Sequence, residues 1–190
     1  MIDVLVVIGK RQVAGIFGFG KPFSKYMIKY NQGMKGEMQL LIDKYKLAPH
    51  PEGGYFREVF RSGQTVFSSV ADQDRDAVSH IYFLLTNGQV SRFHKVLHDE
   101  IWNFYEGAPL RLLKYDGGNI EEQIIGADCS SYVSFVAGGL YQAAESSGEY
   151  SLVGCTVAPG FDFADFSFLN DDAETVTDFM YKHPEYERFI

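Results

Sequence analysis

The strongest constraint on this chain is the spacing of its turns. Between Tyr55 and Phe168, short runs rich in Val, Ile, Tyr and Phe are each bounded by Gly, Asn, Asp or Pro. Asn87-Gly88 separates His80–Leu85 from Val90–Val96, and Asp116-Gly117-Gly118-Asn119 separates Leu110–Tyr115 from Ile120–Ile125. Both are hairpin signals, so these neighbouring strands are expected to pair antiparallel. No helical stretch intervenes that could carry a parallel crossover. The fold class expected is therefore all-β, an antiparallel sandwich or barrel of about ten strands.

Short helices flank the strands. Met38, Leu41, Ile42 and Tyr45 recur at helical spacing, so residues 37–46 read as an amphipathic helix that packs on a sheet and stops at Pro49. Near the end, Ala173, Val176, Phe179 and Met180 share a helical face. Asp171 with Glu174 resembles a capping box, and Pro184 closes that helix. There is no internal repeat, which removes solenoids and propellers.

With 190 residues, the chain fits one domain or a domain with an appendage. Charge favours the second arrangement. Residues 1–36 hold six Lys/Arg and one acid, for +5, whereas residues 37–190 hold eleven and twenty-four, for −13. Residues 1–36 thus read as a basic leader outside the domain: a targeting leader, a cloning artefact, or translation begun upstream of Met34 or Met38. A secretory signal does not fit, because Lys10 and Arg11 follow the apolar run Val4–Ile8 instead of preceding it. The leader also holds Gly15-Ile16-Phe17-Gly18-Phe19-Gly20-Lys21-Pro22, a phosphate-loop pattern up to its last position. Pro22 there supplies neither a hydroxyl for Mg²⁺ nor an N–H for phosphate, so no nucleotide is assigned to it.

An overall charge of −8 offers no general attraction to phosphate backbones or anionic lipids. No nucleic acid and no membrane are expected as partners. Cys129 and Cys155 form no CxxC or CxxH spacing, which excludes a zinc ribbon. Unpaired thiols and the lack of any Asn-x-Ser/Thr sequence favour a cytoplasmic protein.

The densest chemistry lies between Gly88 and Gly107. Strict alternation would put Val90, Arg92, His94 and Val96 on one face, and Glu100, Trp102 and Phe104 on one face of the next strand. Pairing those strands would bring His94 towards Glu100. An imidazole and a carboxylate meeting in an apolar, aromatic setting can bind a metal or exchange protons with a substrate.

Gly88, His94, Glu100 and Gly107 fall at the spacing of the first cupin motif, and this segment resembles the cupin superfamily. The second motif, Pro-x-Gly-x-x-His, is represented by the degraded Ala137-Gly138-Gly139-Leu140-Tyr141-Gln142. A subfamily of largely uncharacterised cupins is similar through Pro49-His50-Pro51-Glu52-Gly53-Gly54-Tyr55-Phe56-Arg57-Glu58, Ile81–Leu85, His98-Asp99-Glu100-Ile101-Trp102 and Ser151–Phe161. The resemblance implies a jelly-roll barrel over residues 37–190 that encloses a small-molecule ligand, and a homodimer. Three His and one Glu hold the ion in metal-binding cupins. Here Val96 replaces the second His and Gln142 the third, so no metal and no cofactor are assigned, although His98 could swing in from its turn.

The function that the resemblance implies is a metal-independent epimerase or isomerase of a sugar-like or polar small molecule, most like the sugar epimerases and isomerases among cupins. His94 would act as base, Glu100 would orient it or act as acid, and Tyr82 or Tyr105 would return the proton. Glu52, Arg57, Arg92, Trp102, Phe104 and Gln142 are the candidate ligand contacts; His50 reads as a turn residue. The alternatives are a non-catalytic ligand-binding or sensing cupin and a metal-dependent oxygenase.

Overall fold

The computed structural model describes residues 6–8, 11–13, 36 and 38–190, and the chain divides into two units, Met1–Gly36 and Glu37–Ile190. In the first unit, β1 (Val6–Ile8) and β2 (Arg11–Val13) pair antiparallel. The phosphate-loop-like segment lies outside the described residues.

The second unit begins with helix α1 over residues 38–45, followed by β3 (Ala48–Pro49) and β4 (Tyr55–Arg61). A short hairpin, β5 (Thr65–Ser68) with β6 (Gln73–Asp76), leads into β7 (Ser79–Thr86), β8 (Val90–Val96) and β9 (Asp99–Gly107). Then come β10 (Leu110–Tyr115), β11 (Ile120–Ile125), β12 (Val133–Val136), β13 (Tyr141–Ser146) and β14 (Tyr150–Ala158). β15 (Phe166–Phe168) and helix α2 (Ala173–Lys182) follow, and then a short 3-10 helix, Pro184–Phe189.

Two antiparallel sheets face each other, one in the order β11-β10-β13-β8-β15 and the other in the order β12-β9-β14-β7-β4-β3. The expected hairpin between β10 and β11 forms, with Asp116 Oδ1 accepting the N–H groups of Gly118 and Asn119. The other expected pairings are corrected. β7 and β8, on either side of Asn87-Gly88, lie in different sheets, and so do β8 and β9. The turns reverse the chain, but each also carries it from one sheet to the other, which is how a jelly roll closes.

Alternation supplies the layers. Phe83, Leu85, Trp102, Phe104, Leu112 and Val153 fill the space between the sheets. Phe93, Leu113, Tyr115 and Ala143 point out of the five-stranded sheet and are covered by Leu169, Phe179 and Phe189. Leu84 and Leu152 point out of the six-stranded sheet under Leu41 of α1 and Leu47. Both helices are therefore held by an apolar face, as amphipathic helices are. The cap of α2 is Asp172, which accepts from Glu174 and Thr175 N–H; Asp171 instead takes the N–H of Phe168. Among the described residues, no helix is long and apolar enough to cross a membrane.

Candidate functional site

The interior is filled by hydrocarbon towards one end of the sandwich and opens towards the other into a cavity of about 300 Å³. Glu52, His94 and Glu100 line it, with His50, Cys155 and the rings of Phe56, Phe161, Phe163 and Phe166 among the walls.

Glu52 enters through two glycines. Gly53 has φ +116° and Gly54 φ +68°, a left-handed region that side chains disfavour. A Cβ on Gly53 would run into the carbonyl of Val90, so the turn can pack on β8 only as glycine. The carboxyl group is then delivered inside: Glu52 Oε1 accepts from Ser91 Oγ at 2.9 Å, and Oε2 lies 3.2 Å from His94 Nε2.

A β-bulge sets His94. Ser91 opposes Ala144 and His94 opposes Gln142, so three steps along β8 match two along β13. That break in alternation turns Ser91 and His94 inward together. It also corrects the expectation for Arg92, which donates to Pro51 O at 2.9 Å, lies 4.3 Å over the Phe168 ring and does not line the cavity. Phe166 stacks on the His94 imidazole at 5.2 Å and 21°.

The hydrogen-bond directions follow from one group that can only donate. Trp102 Nε1–H reaches Gln142 Oε1 at 2.9 Å, so the Gln142 amide oxygen must face the indole. Its NH₂ group therefore points the other way, to Glu100 Oε2 at 2.5 Å and to His94 Nε2 at 3.2 Å. His94 Nδ1 lies 2.7 Å from the carbonyl of Arg92, which can only accept, so Nδ1 carries the proton and Nε2 presents a lone pair. Burial drives His94 below its ordinary pKa. Burial likewise raises Glu52, and it raises Glu100 to about 7, with the Glu52 charge adding to the effect. The Glu52–His94 contact is close, and burial opposes charge on both partners. Burial also holds the Cys155 thiol, hydrogen-bonded to Glu100, well above its ordinary value.

This donor set does not fit a cupin metal. The Gln142 oxygen is committed to Trp102, and two N–H bonds face the position a cation would take. Among the described residues, no three His, Cys, Asp or Glu side chains are arranged to hold an ion. His98 does not swing in: it is buried, with Nε2 2.7 Å from Ser68 Oγ. Its Nδ1 lies 3.6 Å from Asp165, whose carboxylate already pairs with Arg75 at 2.7 Å through both oxygens.

The structure thus brings Glu52, His94, Glu100 and Gln142 together. Trp102, at 1% exposure, anchors Gln142 from behind, and Phe104 lies in the core; neither lines the cavity. Three expected residues are on the far face of the six-stranded sheet. Tyr105 OH is 3.0 Å from His80 Nε2, Tyr82 packs edge-on against Tyr105, and Arg57 lies 5.8 Å from the Tyr82 ring. Their positions in alternation, odd on β9 and even on β7, turn them away from His94, so neither tyrosine can return a proton in this cavity. His50 opens the expected turn, its carbonyl accepting the Gly53 N–H at 3.1 Å, and its ring also lines the cavity and accepts the Glu52 N–H on Nδ1 at 3.3 Å. Sequence reasoning also missed Ser91, Cys155 and the phenylalanines of 161–166. Cys155 was within reach, because alternation along β14 puts it on the same face as buried Val153 and Val157.

The fold and this interior site define a cupin. The profile described as "Cupin superfamily (DUF985)" matches residues 39–169, and the chain belongs to that family. It is 31% identical to an uncharacterized protein of Saccharomyces cerevisiae over 157 residues, 72% of this chain and 77% of that one. Among solved structures, a hypothetical protein from Leishmania major is 30% identical with a TM-score of 0.68, covering 80% of this chain and 95% of that one. A Shewanella oneidensis protein is also 30% identical, with a TM-score of 0.65 over 78% and 90% of the two chains. Bacillus subtilis oxalate decarboxylase, at 16% identity and a TM-score of 0.51, shares the fold over 75% of this chain and 36% of its own.

Proposed function

We propose that this cupin binds a small polar molecule in its cavity and moves a proton on it without a metal, as an epimerase or isomerase does. The observation that carries the reading is the convergence of Glu52, His94 and Glu100 on one cavity, with the acids pushed up and the imidazole pushed down. Groups perturbed in this way can take and give protons near neutral pH, which is what such catalysis requires. His94 Nε2 is the proton acceptor, since Nδ1 is locked on the Arg92 carbonyl. Glu100 supplies the proton, and Gln142 holds both groups in place through one NH₂.

Two unpaired cysteines support a cytoplasmic protein. Exposed Ile101, Tyr105, Val133 and Phe135, on neighbouring strands β9 and β12, are consistent with the expected homodimer.

The test begins with native mass spectrometry, to identify the small molecule that co-purifies. Turnover of that molecule is then followed against pH. We expect His94→Ala to abolish turnover in a folded protein, and Glu100→Gln to remove an ionisation near pH 7. Binding without turnover in the wild type would leave a sensing cupin as the function. Unchanged turnover in both variants would refute the assignment.

A further inference from the structure

The lining of the cavity is one-sided in charge. Four carboxyl groups contribute, Glu52 and Glu100 at the floor and Glu58 and Asp162 nearer the mouth, against a single guanidinium, Arg61, among the described residues. Arg61 has nothing left to give a ligand. Its Nε donates to Glu58 at 3.0 Å, Nη1 to Asp76 at 2.9 Å and to the Phe161 carbonyl at 3.1 Å, and Nη2 to Glu58 at 2.7 Å and to Phe161 again at 3.1 Å. All five N–H groups are used. His50 and His94 are held neutral by burial. A ligand carboxylate or phosphate would therefore enter a cavity with four acids and no free cation. Another part of the wall is aromatic: Phe161 meets Phe163 at 5.0 Å, and both meet Phe166, at 6.1 and 6.2 Å, edge to face.

We propose that the cavity selects organic cations, protonated amines on a compact apolar or ring-shaped body, with Glu52 and Glu100 receiving the ammonium and the Phe161–Phe163–Phe166 cluster covering the body. This rests on the reading of the cavity as a ligand site. Carboxylates and aromatic rings are the two kinds of group from which an ammonium gains most. An arriving cation also offsets the burial that raises Glu52 and Glu100, so binding favours their ionised forms. Anionic ligands would do the opposite.

The experiment uses three probes with one ring and three charges: benzylamine, benzyl alcohol and benzoate. Each is titrated calorimetrically into the full-length protein at about pH 8, above the Glu100 pKa of about 7. A charge-assisted hydrogen bond in a desolvated site predicts that benzylamine binds at least about tenfold more tightly than benzyl alcohol, with benzoate weakest. Glu100→Gln should weaken benzylamine by about tenfold and leave benzyl alcohol within about threefold. Glu52→Gln provides the same comparison if the first variant does not fold, as judged by its thermal transition. Benzoate binding as tightly as benzylamine, benzylamine indifferent to both variants, or no binding of benzylamine would each overturn the proposal. Such a result would leave the proton-transfer reading standing on its own turnover test. Conversely, benzylamine binding without turnover of the co-purified molecule would refute catalysis and keep the cation specificity.

Discussion

Replacing Glu100 by Gln should change how the stability of this protein depends on pH, in a direction that can be worked out beforehand. Burial lifts the Glu100 carboxyl from an ordinary 4.5 to about 7, so the native protein holds a proton there that the unfolded chain releases. Stability from this group is fully present below pH 4.5. It falls as pH rises towards 7, because over that window the folded state binds more protons than the unfolded one. At about 1.4 kcal/mol for each pH unit between the two values, the loss is about 3 kcal/mol by pH 8. The side chain is 6% exposed, so solvent screening removes little of it. Glutamine keeps the shape and an oxygen for the Gln142 NH₂ but does not titrate. Urea unfolding at pH 5, 6, 7 and 8 should therefore show wild type losing stability relative to Glu100→Gln, with the gap widening by about 3 kcal/mol and levelling off above pH 7. Parallel curves would refute the argument, since they would mean that Glu100 ionises in the folded protein as easily as in the unfolded chain.

Gly53→Ala should cost more than about 1 kcal/mol in thermal or denaturant unfolding, since φ +116° and the Val90 carbonyl both exclude a Cβ. Trp102→Phe removes the donor that orients Gln142 and leaves a buried acceptor unpaired, at about 1–3 kcal/mol of stability with loss of ligand affinity. Tyr105→Phe and Tyr82→Phe, on the outer face, should leave binding of the co-purified molecule within about twofold by calorimetry. Light scattering of the full chain should report about twice 21.4 kDa if the proposed dimer forms.

The sequence carried the parts of this account that rest on local chemistry. The β10–β11 hairpin was readable because Asp116 and the two following glycines make their own turn. The cores under α1 and α2 were readable because each helix has one apolar stripe. Local chemistry does not say which sheet a strand joins, and both Asn87-Gly88 and the turn at Leu97 to Asp99 carry the chain across instead of pairing its neighbours. His94 and Glu100 still meet, but face to face between the sheets. Arg92 was misplaced because a bulge opposite Ala143 shifts alternation by one, and nothing in the spacing announces a bulge. Tyr82 and Tyr105 were misplaced for the opposite reason: alternation along β7, and on β9 from Glu100 up to the bulge at Tyr105, turns both away from Glu100. Glu52 was named through the Pro49–Glu58 segment that resembles the subfamily. Its partner Ser91, and Phe166 stacked on His94, depend on contacts between segments distant in the chain.

The proposed proton transfer depends on a neutral His94 that is protonated on Nδ1 and keeps its Nε2 lone pair on the cavity side. Nitrogen-15 spectroscopy of the histidine rings between pH 5 and 8 tests it directly, with Glu100→Gln as the comparison. We expect a His94 whose neutral form carries Nδ1–H, whose protonation midpoint lies below the ordinary 6.5, and whose Nε2 signal senses the Glu100 ionisation near 7 and loses that response in the variant. An imidazole that titrates near 6.5 with both nitrogens equivalent, unaffected by Glu100→Gln, would contradict it.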